Sequence, residues 1–385
     1  MQEELVSILA CPRCRGELTL EEVRQSRGTR ILSGTLKCRA CSGCYPVEAG
    51  IPRLVEAEPD VQTTGRRFEF EWVSRWTGRF EGAARCHGMD LNEYVGWQKD
   101  RLAEHSTLAP GDRILDAGCG SGEKAALLAR MCPRQTVVGL DLGLGSLEKA
   151  ADRYGEIENV NYVQGNILQP PLRWNAFRWG ISIGVLHHTP DTRRAFAMFR
   201  KLLVDDPGVL VYLYRPIREA PEWRACYIMR DVFLLGQSPK LSPGFLRLFC
   251  LTTVGLTFPL GLFIWWRHGR RMNKELPFYD TGKMTLRDSY WALVFHLFDL
   301  LLPQYQFRPK SSDVEAWFRE EGLEMGFQAH CFYLGRPAQR PTKEKPLTRP
   351  QRQVAEPRFP GPGPDTQEDE ALPRVSDTSV PGFVP

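Results

Sequence analysis

The chain has 385 residues, enough for about two or three domains, and its 42% hydrophobic content is ordinary for a globular protein with a buried core. Its formal net charge of +4 is small for this length and gives no sign of the clustered basic face that nucleic-acid binding requires. The start, Met-Gln-Glu-Glu, lacks a secretory signal and most cysteines are scattered, so we expect a cytoplasmic protein with reduced thiols.

Two C-x-x-C pairs lie near the N-terminus: Cys11 with Cys14, and Cys38 with Cys41. Four thiolates on two tight turns supply the soft ligands that tetrahedral zinc prefers, and a segment of about sixty residues is too small to be stabilised by its core alone. The spacing predicts a structural Zn²⁺ with no open position for catalysis. Cys44 is also C-x-x-C spaced from Cys41, so the spacing alone allows Cys44 as the fourth ligand.

An aromatic-rich segment from Phe68 to Trp76 follows. We interpret it as a packing helix, with a substrate contact as the alternative, because aromatic stripes more often belong to a core. From residue 113 onward strands alternate with helices, which predicts βαβ units and a parallel sheet covered on both faces. After a strand from 113, the predicted strands are 135–141, 160–164, 177–184 and 208–214, and the helices are 122–132, 145–154 and 191–203.

The most informative run is residues 114–122, where an apolar strand breaks into a glycine turn that carries Asp116. Glycine permits positive φ and close backbone approach, which suits a nucleotide ligand. The next predicted strand ends in Asp141, placed to accept hydrogen bonds from ribose hydroxyls. The turn's glycines alternate: Gly118, Gly120 and Gly122. The dinucleotide fingerprint needs G-x-G-x-x-G instead, so the spacing disfavours a dinucleotide-dependent oxidoreductase.

At these residues the chain resembles the class I S-adenosylmethionine-dependent methyltransferases, whose first motif reads D-x-G-x-G-x-G and whose second strand ends in an acidic residue. The resemblance continues at 164–167 and at 181–188. It implies a Rossmann-like, doubly wound, mostly parallel seven-stranded sheet, with S-adenosylmethionine as cofactor. The implied cofactor-binding residues are Asp116, Gly118, Cys119, Gly120, Gly122, Asp141, Leu142, Asn166, Ile167 and Ile183.

Asn166 departs from that family, in which an Asp contacts the adenine amino group. The amide oxygen can still accept a hydrogen bond but carries no charge, so we expect this contact to differ most from the family. His187 and His188 follow the fourth strand, close to where the methyl group should point. They are candidate bases for a hydroxyl acceptor; the alternative is that they only order the loop.

The N-terminal segment resembles the zinc ribbon often fused before such methyltransferases, and the small zinc-ribbon activator subunit of tRNA and translation-factor methyltransferases. The likeness lies in a C-x-x-C followed by Tyr-Pro-Val and Gly-Ile-Pro, within residues 38–52. It implies metal ligation by Cys11, Cys14, Cys38 and Cys41 and leaves Cys44 extra. We expect the ribbon to act as a stability or docking cap.

An insertion of about 80 residues begins near Pro216. Its centre, 248–266, is uncharged and long enough to span a bilayer. A single span would separate the closing strands from the rest of the sheet, and Pro259 weakens a continuous helix. We therefore expect a buried lid over an apolar substrate. The first alternative is peripheral membrane contact through 245–271, beside a basic cluster, and the second is a true span.

Residues 314–322 resemble the family's closing helix, and Gly322 suits its C-cap. Before it, three residues of the insertion could reach an acceptor: His296, Asp299 and Tyr305. From about Arg336 the chain is proline-rich and polar with little to bury, which predicts a disordered tail.

The predicted domains are a zinc ribbon (1–58), an aromatic helical lead-in (59–112), the cofactor-binding core (113–215), an apolar helical insertion or lid (216–310), the closing helix and strands (311–336) and a Pro-rich tail (337–385). The leading hypothesis is methyl transfer from S-adenosylmethionine to a small or lipid-like acceptor. Because the cofactor carries the reactivity, the protein mainly aligns the reactants. The alternative is a non-catalytic scaffold whose ribbon binds protein or RNA partners.

Overall fold

A computed structural model describes residues 1–56, 63, 65–70, 90–219, 224–228, 230–231, 240–276 and 278–338. The part of the aromatic segment after Phe70 and the predicted tail from residue 339 onward lie outside these residues. The predicted start of the tail is wrong, because Arg336 and Pro337 belong to the last strand. The described strands are β1 (Leu18–Arg27), β2 (Arg30–Cys38), β3 (Cys44–Glu48), β4 (Ile51–Leu54), β5 (Arg113–Ala117), β6 (Thr136–Asp141), β7 (Val160–Gly165), β8 (Phe177–Ile183), β9 (Leu203–Tyr212), β10 (Leu323–Ala329) and β11 (Phe332–Pro337).

The described α-helices run from five to 33 residues. They are α1 (Leu91–Ala103), α2 (Glu123–Met131), α3 (Leu144–Tyr154), α4 (Thr192–Lys201), α5 (Arg224–Ile228), α6 (Pro243–Glu275), α7 (Leu286–Leu301) and α8 (Ser311–Glu320). The predicted strand and helix boundaries of the core agree with these to within a few residues, except that β9 begins earlier than expected.

One sheet contains all of these strands, in the order β1-β2-β3-β4-β7-β6-β5-β8-β9-β11-β10. The seven strands from β7 to β10 form the mostly parallel sheet that the sequence predicted, with β5 to β9 parallel to one another and β11 antiparallel to β9 and β10. Side chains of the central strands, such as Leu115 and Val138, are fully buried because helices cover both faces. The fold is Rossmann-like α/β, as predicted.

The N-terminal ribbon extends this sheet. Its strand β4 pairs in parallel with β7, with Arg53 opposite Gln164 and Leu54 opposite Gly165. The Ala10 amide also donates to the Pro171 carbonyl at 3.0 Å. Residues 1–338 accordingly form a single unit, and β7 would be an unprotected edge strand without the ribbon.

The apolar insertion contains the continuous helix α6, although the sequence suggested that Pro259 would weaken a helix here. Both halves of α6 pack on α7. Val254 shares an apolar cluster with Val294, and the Trp265 ring lies 4.8 Å from that of His296. This packing on both sides of the proline outweighs the single hydrogen bond that proline removes.

The expected buried lid is wrong for α6. Along the centre of the helix the apolar side chains point into solvent, with Leu256 87% and Leu260 64% exposed. Among the described residues, α6 alone is long and apolar enough to cross a membrane by length and composition. The closing part of the core agrees with the prediction. Helix α8 is followed by Gly322, whose backbone is left-handed (φ 74°), and then by the closing strands.

Candidate cofactor and acceptor pocket

The glycine turn connects the end of β5 to the start of α2. Gly118 has a φ of 81°, and a Cβ built there would lie 2.1 Å from Val185 Cγ2, so no other residue fits without displacing the neighbouring loop. Gly122 is the N-cap of α2 with a φ of 75°. The turn therefore needs glycine at both positions for its left-handed backbone and for close approach, since a Cβ at Gly122 would lie 2.6 Å from Ala150 Cβ.

Asp141 at the end of β6 is joined to this turn by hydrogen bonds. Its Oδ2 accepts from the Gly120 amide and its Oδ1 from the Gly143 amide, each at 2.8 Å. Burial raises the pKa of the Asp141 carboxyl, and the two amide bonds partly oppose that shift. The carboxylate thus orders two loops and keeps lone pairs for further donors.

Asp116 lies at the buried end of β5. Its side chain is fully buried, and neither carboxylate oxygen has a hydrogen-bond partner among the described residues. Burial raises the pKa of this carboxyl, while the positive charge of Lys124 opposes the rise. A buried, unpartnered carboxylate is costly unless a ligand supplies a donor or a positive charge.

A cavity of about 350 Å³ opens at the carboxyl ends of the parallel strands, where ligands bind in such sheets. Six of the ten predicted cofactor residues line it: Gly118, Asp141, Leu142, Asn166, Ile167 and Ile183. The other four do not line it: Asp116, Cys119, Gly120 and Gly122. Asp116 and Cys119 are buried beneath the turn, and the amide of Gly120 is directed at Asp141.

Asn166 uses its amide oxygen locally. Its Oδ1 accepts from the Leu168 amide at 2.9 Å, which closes a turn after β7. One oxygen lone pair and the amide NH₂ are then available for a ligand. The position contributes an amide donor to the cavity as well as the acceptor that the sequence suggested.

The two histidines have different surroundings. His188 lines the cavity, and its Nδ1 lies 3.0 Å from the Tyr305 carbonyl oxygen. His187 is fully buried, does not line the cavity and packs its ring 4.2 Å from that of Tyr214. Burial lowers the pKa of His188 to about 4 and that of His187 well below its usual value. Both rings are neutral near pH 7.

The far side of the cavity comes from the insertion. Asp299 of α7 and the following Tyr305 line it, as the sequence allowed, and the Tyr214 hydroxyl donates to the Asp299 carboxylate. His296 does not line the cavity and stacks on Trp265 instead.

Sequence reasoning did not assign several other cavity residues. Phe68 lines the cavity, and its ring centroid lies 5.4 Å from that of His188. The sequence favours a packing helix for its segment, with a substrate contact as the alternative; the position of Phe68 agrees with the alternative. Val185 and Arg194 also line it. No local pattern marks these two residues, because β8 and α4 bring them to the site only in the folded chain.

The four predicted metal-binding cysteines form one cluster. Their Sγ atoms all lie within 4.8 Å of one another, including Cys14 to Cys38 at 3.5 Å and Cys11 to Cys41 at 3.6 Å. Cys44 is exposed, and its Sγ lies 3.6 Å from the Ser42 carbonyl oxygen, outside the cluster. This geometry suits four thiolate ligands around one ion, in the register with Cys41 and without Cys44.

Family models match both the part of the chain with the cavity and the part with the cysteine cluster. The family described as Methyltransferase domain matches residues 114–206, and the family described as Trm112p-like protein matches residues 2–50. The chain joins a Trm112p-like domain to a methyltransferase domain. The first match covers the glycine turn, Asp141 and the two histidines of this methyltransferase domain, and the second covers the four-cysteine cluster.

Curated relatives of this chain include enzymes with different acceptors. A tRNA (guanine-N(7)-)-methyltransferase of Rubrobacter xylanophilus is 28% identical over 51% of this chain and 90% of its own length. Sterol 24-C-methyltransferase ERG6B of Gibberella zeae is 24% identical over 41% and 39%. Demethylmenaquinone methyltransferase of Staphylococcus aureus is 26% identical over 40% and 63%. The chain thus spans less than two thirds of the latter two enzymes.

Solved structures similar to this chain include the Haloferax volcanii complex that contains the Trm112 methyltransferase activator. It is 13% identical, covers 67% of this chain and 78% of that one, and has a TM-score of 0.37. Phosphoethanolamine N-methyltransferase 2 of Haemonchus contortus is 25% identical over 31% and 28%, with a TM-score of 0.28.

Proposed function

We propose that this protein is an S-adenosylmethionine-dependent methyltransferase acting on a small or lipid-like acceptor. The observation that carries the proposal is the Asp141 carboxylate bonded to the Gly120 amide at the mouth of a cavity of about 350 Å³, inside a matched methyltransferase domain. A carboxylate at a strand end beside a glycine turn is the arrangement that recognises ribose hydroxyls.

The residues present fit this cofactor. S-adenosylmethionine carries two ribose hydroxyls, an adenine, an ammonium group and a sulfonium group. In the proposal Asp141 accepts from the ribose and the Asn166 amide faces the adenine. The buried carboxylate of Asp116, which has no hydrogen-bond partner among the described residues, favours the cationic part through its negative charge. When bound, the cofactor supplies an electrophilic methyl group.

The chain's own contribution to the reaction is alignment and exclusion of water. Phe68, His188 and Tyr305 surround the acceptor half of the cavity, and the Tyr214 hydroxyl fixes Asp299 there. Because a carbonyl only accepts, His188 Nδ1 donates its proton to Tyr305, and Nε2 keeps its lone pair. His188 is therefore the better placed of the two candidate bases, although its lowered pKa makes it a weak one.

We propose that His187 positions His188 and Tyr214 by packing. Its ring lies 4.0 Å from that of His188 and 4.2 Å from that of Tyr214, and it does not line the cavity. For a nitrogen or thiolate acceptor no base is needed, so the pair would then serve only to shape the pocket.

We propose that the cysteine cluster binds one structural Zn²⁺. Four thiolates complete a tetrahedral shell and leave no position for substrate, so the ion would stabilise the ribbon. The ribbon in turn covers the edge of β7, where it pairs with Gln164 and Gly165, the two residues before Asn166. We also propose the cytoplasmic location and, apart from the start of the tail, the domain boundaries that the sequence predicted.

The experiment that tests the acceptor class follows a radioactive methyl group. Purified protein is incubated with methyl-labelled S-adenosylmethionine and a whole-cell extract, and the products are partitioned between chloroform and water. We expect label in the chloroform phase or in small solutes. Label confined to RNA or protein would contradict the acceptor class, whereas no transfer and no cofactor binding would favour the non-catalytic scaffold.

A further inference from the structure

The outer face of α6 carries an apolar stripe about six turns long. It consists of the exposed side chains Phe245, Leu248, Leu256, Leu260, Phe263, Ile264 and Trp266. At 100° per residue these positions fall on one side of the helix, opposite the buried residues Val254, Trp265 and Met272. A continuous exposed apolar surface of this kind marks an interaction site.

A basic cluster continues the same face. Arg267, Arg270, Arg271 and Lys274 are exposed, and none of the ion pairs formed by the described residues involves them. The Arg270 guanidinium lies 4.6 Å over the ring of Trp266, where the stripe meets the cluster. The helix sequence contains no acidic residue before Glu275. Its outer face is therefore apolar and positively charged, and the helix itself supplies no carboxylate to that face before Glu275.

Both ends of α6 are fixed to the body of the protein. Near its C-terminus, Met272 belongs to the apolar cluster that contains the sheet residues Ile114 and Val137. At its N-terminus, the Arg67 guanidinium donates to the carbonyls of Leu241 and Leu302 at 3.4 and 2.7 Å. A helix of 33 residues is about 50 Å long, so α6 is held lengthwise along the surface.

We propose that the apolar stripe and the basic cluster of α6 dock the protein on the surface of a bilayer containing anionic lipid, with the helix axis in the membrane plane. Apolar and aromatic side chains enter the acyl boundary while arginines and lysines meet lipid phosphates, which is the pattern of interfacial helices. Charge complementarity favours an anionic membrane over an apolar protein partner, because four cationic side chains lie on the same face as the apolar stripe.

The docking surface adjoins the pocket. Its partner helix α7 contributes Asp299 to the cavity, and Tyr305 follows four residues after that helix ends. Docking would therefore bring the acceptor side of the pocket near the membrane. The docking itself goes beyond methyl transfer and is measured without cofactor, so its failure would leave the proposed activity untouched.

The test measures binding of the full chain to vesicles of phosphatidylcholine alone and of phosphatidylcholine mixed with phosphatidylglycerol. We expect binding to the mixed vesicles, weakened roughly tenfold or more by Arg270→Glu with Arg271→Glu. Leu256→Asp with Leu260→Asp should weaken it similarly. Because all four positions are exposed, these variants should keep the wild-type thermal unfolding curve, which is checked first.

Two matched controls make the same chemical changes elsewhere. Val23→Asp places a charge on an exposed apolar residue of β1, and Arg130→Glu with Arg134→Glu reverses two exposed charges near the end of α2. Both should bind as the wild type does. Wild-type protein that stays in solution with the mixed vesicles, or α6 variants that bind as well as the controls, would overturn the proposal.

Two further measurements separate other uses of α6. Alkaline carbonate should release the protein from cell membranes; retention in the pellet would overturn the in-plane arrangement in favour of a span. Sedimentation without lipid should give a monomer. A stable dimer that Leu256→Asp with Leu260→Asp dissociates would assign the stripe to a second copy of the chain and overturn membrane docking.

Discussion

The Asp141 carboxylate accepts a hydrogen bond from the Gly120 amide at 2.8 Å, which joins the end of β6 to the glycine turn after β5. The same carboxylate accepts from the Gly143 amide at 2.8 Å. One side chain therefore orders two of the loops that face the cavity before any ligand arrives. Such preorganisation reduces the entropy that a cofactor must lose on binding.

Replacing Gly118 tests how tightly the turn is built. Gly118→Ala should lower the free energy of unfolding by about 1–2 kcal/mol for the left-handed backbone and by a further ~1–3 kcal/mol for the collision with Val185. Gly111→Ala is the matched control, because Gly111 has a φ of 84° but nothing within 4 Å of a Cβ placed at that position. Urea unfolding measures both variants.

The collision can also be relieved directly. Adding Val185→Ala to Gly118→Ala should recover part of the lost stability, since the nearest atoms to the new Cβ belong to Val185. If Gly118→Ala is no less stable than Gly111→Ala, the close approach between the turn and the loop after β8 is not real.

The Asp116 carboxylate should lower the stability of the cofactor-free protein and favour binding of the cofactor. Because burial raises the pKa of this carboxyl above its unfolded value, the ionised form is unfavourable near pH 7, and Asp116→Asn should leave the cofactor-free protein at least as stable as the wild type. The same change should weaken S-adenosylmethionine binding. Asp112→Asn is the contrast: Asp112 pairs with Arg178 at 3.5 Å, so its loss should lower stability in urea. An Asp116→Asn variant with wild-type cofactor affinity would contradict the role of this carboxylate.

The cysteine cluster predicts that zinc binding requires Cys38 and does not require Cys44. Cys38→Ser should abolish stoichiometric zinc and unfold the ribbon, because its sulfur is one of four within 4.8 Å of one another. Cys44→Ser should retain the metal, since Cys44 lies outside the cluster and is exposed. Elemental analysis of both purified variants decides the point; equal zinc loss in the two would reject the ligand set, and no zinc in the wild type would reject the metal.

Buried histidines should make the protein acid-sensitive. Burial lowers the pKa of His188 and His296 to about 4, below the unfolded value of about 6.5. The unfolded state therefore binds more protons, and stability present above about pH 6.5 is lost as the pH falls towards 4, on the order of 3 kcal/mol for His188. Asp116 and Asp141, with raised pKa values, act in the opposite direction.

The histidine contribution is isolated by comparing urea unfolding of the wild type and His188→Gln near pH 7 and near pH 5. We expect a smaller pH dependence in the variant, because one group that gains a proton on unfolding has been removed. An identical pH dependence in the two proteins would show that His188 takes up no proton on unfolding at these pH values.

Much of the fold and half of the pocket could be predicted because their signals are local in sequence. The strand ending in Asp141 and the turn at Gly118 each lie within one short run, and parallel strands bring such runs together at one sheet edge. Asp299 and Tyr305 could only be suggested, since more than 150 residues separate them from Asp141 and nothing local fixes their distance to the cavity.

Other features depend on tertiary packing that no local pattern encodes. The helix α6 continues through Pro259 because α7 supports it on both sides, and its exposed face cannot be distinguished from a buried one by composition. His187 and His188 are adjacent in sequence, yet only His188 lines the cavity. The pairing of β4 with β7 likewise depends on where the ribbon folds back, which cysteine spacing does not encode.

The central claim is that the glycine turn and Asp141 form an S-adenosylmethionine site. Calorimetric titration of the cofactor into the wild type, Asp141→Ala and the exposed surface control Asp152→Ala tests it most directly. We predict about one site per chain in the wild type and in Asp152→Ala, and a loss of roughly tenfold or more in Asp141→Ala, the scale expected for hydrogen bonds to a charged group. Unchanged affinity in Asp141→Ala, or no binding to the wild type, would contradict the claim.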